Sequence, residues 1–367
     1  MNFTGWRKHF HSSHLRAVHY IWKNPYISRI ELSRLMQLNK SSITRIVEEL
    51  KQWGVVQEES SAAGGQRGRP SVALQLHADL GLFYGVELRP DAYQFVCLRP
   101  HGLLEHAQRR RFDAAERQLN FAQRLELVFR EVEAIKQDLP ILGFGLGLSG
   151  IIDSSARHLL ISEAHGVAEP LDLRPLINRG KWDCPVRLEN DARCCAAWER
   201  RRSPSRNFVA VLGELYHDTE LRSGSSPIQI GLGFVLGGEV YCGSNFAAGE
   251  FQSIFKSEDN FTQFDLKSGE EVGLLKEPLL LYRVFDELCA NIAFLVDTLD
   301  LEEVRFAGNI ISYAQQLSKR LEQAIERQWS HIGAREIPVY FSEQGELAVA
   351  MGAATTMQQQ CFALEKL

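Results

Sequence analysis

Ile141-Leu-Gly-Phe-Gly-Leu-Gly-Leu-Ser-Gly150 alternates apolar side chains with glycine and then stops on Ser149-Gly150, which reads as a strand ending in a glycine loop. Upstream, Leu82–Leu88, Ala92–Leu98 and Leu103–Phe112 read as three more strands, turning at Arg89-Pro90-Asp91 and Pro100-His101-Gly102. Between them and Ile141, the residues Phe121, Leu125, Val128, Val132 and Ile135 recur at helical spacing. Downstream, Pro185–Glu189 reads as a strand running into a helix from Asp191 to about Arg202. The same plan then repeats from Asn207. Strands are predicted at 208–213, 228–236 and 239–241, a dense helix at 278–299 and a short strand at 304–307. A helix at 312–329, a strand at 339–341 and a last helix at 347–359 complete it. Two copies of one plan predict two α/β lobes with a cleft between them.

The 367 residues exceed what a single core usually holds, and 45% hydrophobic with 24% charged content is that of a globular chain. No window approaches the ~18 uninterrupted apolar residues of a membrane span, and Met1–Lys8 has no apolar run of a secretory signal. The seven cysteines, at 97, 184, 194, 195, 242, 289 and 361, form no CxxC pair. They are read as thiols, which places the protein in the cytoplasm. The net charge of −5 is unevenly spread. Residues 1–77 hold 11 Lys+Arg against 5 Asp+Glu, a net of +6, so the remainder carries −11. A small basic segment joined to a large acidic one suggests a nucleic-acid reader attached to something else.

The basic segment has its own pattern. Leu15, Val18, Ile21 and Trp22 sit at helical spacing before Asn24-Pro25. Ser28-Arg-Ile-Glu31 is a capping box opening a second helix, with Leu32, Leu35 and Met36 inward. Asn39 caps a third, in which Ile43, Ile46, Val47 and Leu50 face inward and Gly54 closes the run. Two short helices joined by a tight turn, after a leading helix, are a helix-turn-helix. The outer face of the third carries Lys40, Ser41, Ser42, Thr44 and Arg45, suited to phosphates and base edges. Strands at 55–58 and 71–76 would form a wing, with Arg67-Gly68-Arg69-Pro70 between them resembling an AT-hook for a narrow A·T groove. His9, His11, His14 and His19 lack ligand spacing and are expected at solvated positions near DNA.

At Gly231-Leu-Gly-Phe-Val-Leu-Gly-Gly-Glu-Val-Tyr-Cys-Gly-Ser-Asn-Phe-Ala-Ala-Gly-Glu250, the chain resembles the ROK family of repressors and sugar kinases. Glu189-Asn190-Asp191-Ala192 matches that family's E-N-D-A, and Gly352-Ala353-Ala354 its closing G-A-A. The resemblance is strongest to the branch with an N-terminal winged helix-turn-helix, which includes xylose and N-acetylglucosamine repressors. It implies a winged helix-turn-helix over residues 1–77 followed by an actin-like, hexokinase-like fold. The lobes would span 78–190 and 191–346, with the last helix returning to the first lobe. In the family's kinases the aspartate of E-N-D-A takes a proton from a sugar hydroxyl. The resemblance therefore places Asn190, Asp191 and Glu250 at an effector site, against the plainer reading of Asn190 and Asp191 as a helix cap.

Departures from the family pattern separate a regulator from a kinase. The kinases' first phosphate loop, D-x-G-G-T, is here Glu87-Leu88-Arg89-Pro90-Asp91, without glycine and with an acidic pair that would repel ATP. The second loop's hydroxyl is lost at Ile230, and a nucleoside-side glycine becomes Asn309. Ser253 stands where the family's zinc-binding histidine would be, and residues 254–288 contain no cysteine. The expectation is a sugar-responsive repressor that binds double-stranded operator DNA as a homodimer or tetramer. No catalytic residue, cofactor, metal or membrane contact is expected. An active sugar kinase with an incidental DNA-binding arm is the alternative. The insert 217–227 is read as a surface loop.

Overall fold

The computed structural model describes residues 10–60, 72–135, 138–179, 182, 184–216, 226–257, 262–329 and 336–364. Arg67, Gly68 and Arg69, and most of the 217–227 insert, lie outside the described residues.

The N-terminal module comprises α1 (Ser12–Lys23), β1 (Ile27–Ser28), α2 (Arg29–Met36), α3 (Lys40–Gln52), β2 (Val56–Ser60) and β3 (Val72–Leu76). Each short helix is started by its own sequence. Ser28 Oγ accepts from Glu31 N while Glu31 Oε2 accepts from Ser28 N at 2.9 Å, and Asn39 Oδ1 accepts from Ser42 N at 2.8 Å. The turn between α2 and α3 passes through Gln37 at φ 55°, a left-handed position outside glycine's usual monopoly. β2 and β3 pair antiparallel from Val56↔Leu76 to Ser60↔Val72, and β1 adds to β3. Three helices and a hairpin in this order are the arrangement expected of a winged helix-turn-helix. Arg29 locks it: its guanidinium bonds Glu48 of α3 and Glu58 of β2, and Lys51 Nζ reaches Glu58 at 2.7 Å.

Two expected facings are corrected. α1 turns His14, Ala17, Val18 and Ile21 inward, so Leu15 and Trp22 are only half-buried. His14 is therefore a core residue, with Nε2 2.6 Å from Glu49 Oε2, and not a solvated one. Leu35 is 44% exposed because α2 is too short to cover it from both sides.

The remaining chain builds two five-stranded sheets of identical topology. In the first lobe β4 (Leu82–Leu88), β5 (Ala92–Leu98) and β6 (Leu104–Arg111) form an antiparallel meander. The helix α4 (Phe121–Ala134) follows, then β7 (Ile141–Leu148), parallel to β4. A small antiparallel sheet of β8 (Ile151–Asp153), β9 (His158–Ile161) and β10 (Leu171–Asp172) comes next, and β11 (Val186–Asn190) then pairs with β7. After α5 (Asp191–Arg200), the second lobe repeats the meander as β12 (Phe208–Leu215), β13 (Ile228–Leu236) and β14 (Glu239–Tyr241). α6 (Pro278–Leu299), β15 (Glu303–Ala307), α7 (Ala314–Trp329), β16 (Val339–Phe341) and α8 (Ala348–Phe362) complete it. The sheet orders are β11-β7-β4-β5-β6 and β16-β15-β12-β13-β14. The small sheet and the short helix Arg174–Arg179 after it were not foreseen, because their runs are too short for periodicity to register.

The lobes are joined by two helices that cross over. α5 leaves the first sheet and packs on β12 and β13, whereas α8 ends the second lobe and packs on β4 and β7. They meet where Gly352 lies against the carbonyl of Cys194; a Cβ there would stand 1.9 Å from that oxygen. The N-terminal module shares this frame. Its apolar core runs without a break from Ile21, Leu32 and Ile46 to Phe83, Leu98, Met357 and Phe362. Trp22 packs against Phe362 with ring centroids 5.9 Å apart, and His19 Nδ1 lies 3.1 Å from the Phe362 carbonyl. The apolar core is therefore continuous across residue 77, where the sequence reading placed a boundary.

Candidate functional site

A cleft of about 400 Å³ opens between the lobes. Asn190, Asp191 and Glu250 all line it, as do Glu87, Arg89, Glu214, Tyr216, Gln263, Gly231 and the loop at Ser149-Gly150. The three effector residues proposed from sequence converge because β11 delivers Asn190 and Asp191 to the cleft floor. Gly231, on β13, bridges to Glu250 across it.

Asn190 is first of all a helix cap. Its Oδ1 accepts from Arg193 N at 3.0 Å and its Nδ2 donates to the Gly150 carbonyl at 3.0 Å. One amide hydrogen remains for a ligand. Asp191 Oδ1 accepts from Ala192 N at 2.8 Å, leaving its second oxygen to the cleft. Burial pushes the Asp191 carboxyl up to about 7, and the neighbouring Glu250 and Glu214 add to the shift. Glu250 keeps an open side chain although protein surrounds it, and that surrounding raises its carboxyl against the pull of Arg193. Arg193 is buried beneath them and donates to Glu189 Oε1 at 2.7 Å, to the Phe246 carbonyl at 2.8 Å and to the Ile152 carbonyl at 3.1 Å. It ties the cleft's loops to α5.

The turn after β4 carries the feature that sequence reading missed. Arg89 Nη1 reaches across the lobes to within 2.9 Å of Glu214 Oε2, and its guanidinium lies 5.1 Å from the Tyr216 ring centroid. Asp91 Oδ1 is 3.7 Å from Arg89 Nε. All four residues are buried. The expected repulsion of ATP by Glu87 and Asp91 needs correcting in its cause, because Arg89 offsets the acids and itself occupies the space between the lobes. Burial holds the Glu87 and Glu214 carboxyls above their usual range, partly against Arg89. Beyond Arg89 lies a second cavity of about 560 Å³ bordered by Gly308, Asn309 and Tyr313. There Asn309 is occupied with the backbone of β12, accepting from Leu215 N at 2.7 Å and donating to Leu215 O at 2.9 Å. Glu214 had a signal in sequence: it interrupts the otherwise apolar Phe208–Leu215. Its partner Arg89 had none, lying 125 positions away.

The segment that would hold zinc is fixed differently. Ser253 is buried, and its Oγ accepts from Asn291 Nδ2 at 3.0 Å, so it faces α6 and not the cleft. Gln263 clasps both sides of the loop, accepting from Ile230 N at 2.7 Å and donating to the carbonyls of Ile230 and Phe251. Among the described residues no group of His, Cys, Asp and Glu is arranged to hold a metal ion.

On the N-terminal module, Lys40, Ser41, Thr44 and Arg45 are exposed and Ser42 is half-buried. Two of the hydroxyls are engaged locally: Ser41 Oγ donates to Asn39 Oδ1 at 2.8 Å and Thr44 Oγ1 to the Lys40 carbonyl at 2.9 Å. Arg45 is 77% exposed, with Glu49 3.9 Å away.

No family model matches the sequence. A putative xylose repressor from Caldicellulosiruptor sp. is 27% identical over 228 residues, 61% of this chain and 53% of that protein. The matched stretch thus spans about half the length of that relative. Over 95% of its length the chain superposes on a ROK family transcriptional regulator, a homologue of the Escherichia coli Mlc protein, with a TM-score of 0.67 at 20% identity and 96% of that chain covered. A ROK family glucokinase from Streptomyces griseus, solved with glucose and AMPPNP, gives 0.58 at 16% identity, covering 76% of this chain and all of that one. The fold is that of the ROK proteins, two-lobed and kinase-like. No helix among the described residues is long and apolar enough to cross a membrane.

Proposed function

We propose that this chain, with the ROK fold and a sequence similar to the xylose repressors, is a DNA-binding transcriptional repressor of sugar-related genes. A small polyhydroxylated effector enters the cleft, and the N-terminal module reads double-stranded operator DNA in the cytoplasm as part of a homodimer or tetramer. Two modules related by a two-fold axis suit a palindromic operator. Lys40, Ser41, Ser42, Thr44 and Arg45 face the DNA, with Arg67, Gly68 and Arg69 in the wing. Asn190, Asp191 and Glu250 bind effector hydroxyls.

The observation that carries this reading is the packing between the two sites. Asp191 starts α5, α5 is packed on α8 at Gly352 and Cys194, and α8 ends at Phe362 against Trp22 and His19 of α1. A ligand that prefers one arrangement of the lobes shifts the module through this continuous core, by no more than its difference in affinity for the two states. Coupling of ~1–3 kcal/mol would change operator affinity about 5–150-fold. The test is operator binding with and without sugars, in wild type and in Asp191→Ala. A response that survives both Asp191→Ala and Glu250→Ala would move the sensing site elsewhere. At the DNA, Arg45→Ala is expected to weaken specific binding by about 1–3 kcal/mol while leaving non-specific binding less affected. Equal loss on every sequence would reduce Arg45 to a phosphate contact.

In this reading phosphoryl transfer is not part of the function. The turn after β4 offers no glycine amides, and Arg89 and Glu214 pair across the lobes beside it, which supports that reading. Sugar-dependent ADP release that disappears in Asp191→Ala would overturn this.

A further inference from the structure

The charges lining the cleft are unbalanced in a way that narrows the effector's chemistry. Five carboxyl groups line it, from Glu87, Glu163, Asp191, Glu214 and Glu250, and Arg89 is the one cation among its described lining residues. That cation is ion-paired with Glu214 at 2.9 Å, though its Nε and Nη1 make no aligned hydrogen bond. Glu87 is 4% exposed, and its Oε2 has no hydrogen-bond partner. An unmatched carboxylate oxygen at such a site is costly, and it must either hold a proton or meet a donor. A metal ion does not fit: among the described residues no three of these groups close on a common point as ligands would. A larger cation that spreads its hydrogen bonds over several acids does.

We infer that the cleft takes an amine-bearing polyol, with a protonated amino group directed at the acids around Glu87 and Asp191 and hydroxyls met by Asn190 and Glu250. An ammonium offers three donors and complements carboxylates without displacing the Arg89 bridge. A phosphorylated sugar would enter a cleft with no unpaired cation among its described lining residues and at least two buried acids. The inference rests on the reading of this cleft as the sensing site.

Binding would expel protons. Around Asp191 stand Glu87 on β4, Arg89 in the turn after it, Glu214 and Tyr216 on and beyond β12, Glu250, and Arg193 on its own helix. In the empty cleft burial, with the neighbouring acids adding to it, keeps protons on Glu87 and Asp191 near neutrality, and an arriving ammonium replaces those protons. Affinity for an amine therefore rises with pH up to the titration of the amine itself, whereas affinity for an uncharged sugar does not.

The experiment is calorimetric titration of the full chain with 6-amino-6-deoxyglucose, glucose and glucose 6-phosphate at pH 5.5 and 7, in two buffers of different ionisation heat. The amino sugar should bind at least about tenfold more tightly than glucose at pH 7, as charge-assisted bonds allow, with net proton release. The phosphate should bind most weakly. Glu87→Gln should remove the amine's advantage and the proton release while glucose binding persists; should that variant not fold, the wild-type panel decides alone. Equal binding of amine and glucose, or tighter binding of the phosphate, overturns the charge inference and leaves the sensing site standing. No binding by any of the three overturns both.

Discussion

Two of the contacts between the lobes of this protein are of opposite character. At the crossing of α5 and α8 the contact is apolar and backbone-close, with Gly352 seated on the Cys194 carbonyl and Ala353 and Val349 beside it. At the cleft it is ionic, with Arg89 and Glu214 2.9 Å apart. Close packing is short-ranged and unforgiving, so the first contact behaves as a pivot. A buried ion pair depends on its charges and weakens when one of them is removed or neutralised, so the second can yield where the first cannot. The proposed sensing needs both: something that keeps its geometry, and something whose strength can change.

The largest expected effect comes from breaking the ionic contact. Arg89→Met leaves Glu87, Asp91 and Glu214 without their shared cation and should cost about 3–5 kcal/mol in denaturant unfolding at pH 8. Both Glu87 and Glu214 are held above their usual range, so protonation should recover much of that loss at pH 5. The double variant Arg89→Met/Glu214→Leu should be closer to wild type than the single. A single variant as stable as wild type at pH 8 would end the comparison. The pivot should be next. Gly352→Val drives a side chain into backbone that cannot yield, and about 1–3 kcal/mol should be lost, independent of pH. A thermal transition unchanged within error would show that the helices can slide apart.

A third test concerns the pH slope. Asp191 is raised from 3.8 to about 7 in the folded chain. Between those values the native state holds a proton that the unfolded chain has released, so stability falls as pH rises through that window. Asp191→Asn should flatten the slope by no more than about 1.4 kcal/mol per pH unit, and the variant should gain relative stability at pH 8. A slope that steepens would mean the carboxyl is stabilised as its anion. The smallest effect is a control within one lobe: Ser253→Ala removes the hydrogen bonds that its Oγ accepts from Asn291 Nδ2 and Phe255 N, and should cost about 1 kcal/mol. A cost of several kcal/mol would give this contact a larger part in the fold than its few bonds suggest.

Much of the fold was legible because its elements are long relative to their patterns. The predicted strands at Leu82–Leu88, Ala92–Leu98 and Ile228–Leu236 and the helix Pro278–Leu299 have those bounds in the structure. The three residues proposed for an effector came only from motif resemblance; Asn190, Asp191 and Glu250 do line one cleft. Their division of labour was not legible: Asn190 is largely committed to capping α5. His14, expected at a solvated position near DNA for want of ligand spacing, is a core residue because α1 presents a different face from the one its apolar residues suggested.

The sequence by itself determined the repeated α/β plan, the winged N-terminal module and the departures at Arg89-Pro90, Asn309 and Ser253. Those are properties of local pattern: periodicity, caps and the identity of a residue at a motif position. Only the tertiary structure decided what the departures do. Arg89 meets Glu214, Asn309 meets Leu215, Ser253 meets Asn291 and Phe362 meets Trp22 across separations from 38 to 340 residues. Nothing in a local pattern encodes such meetings, because a charge or a ring finds its partner only once the sheets and the two crossing helices have fixed which surfaces face each other.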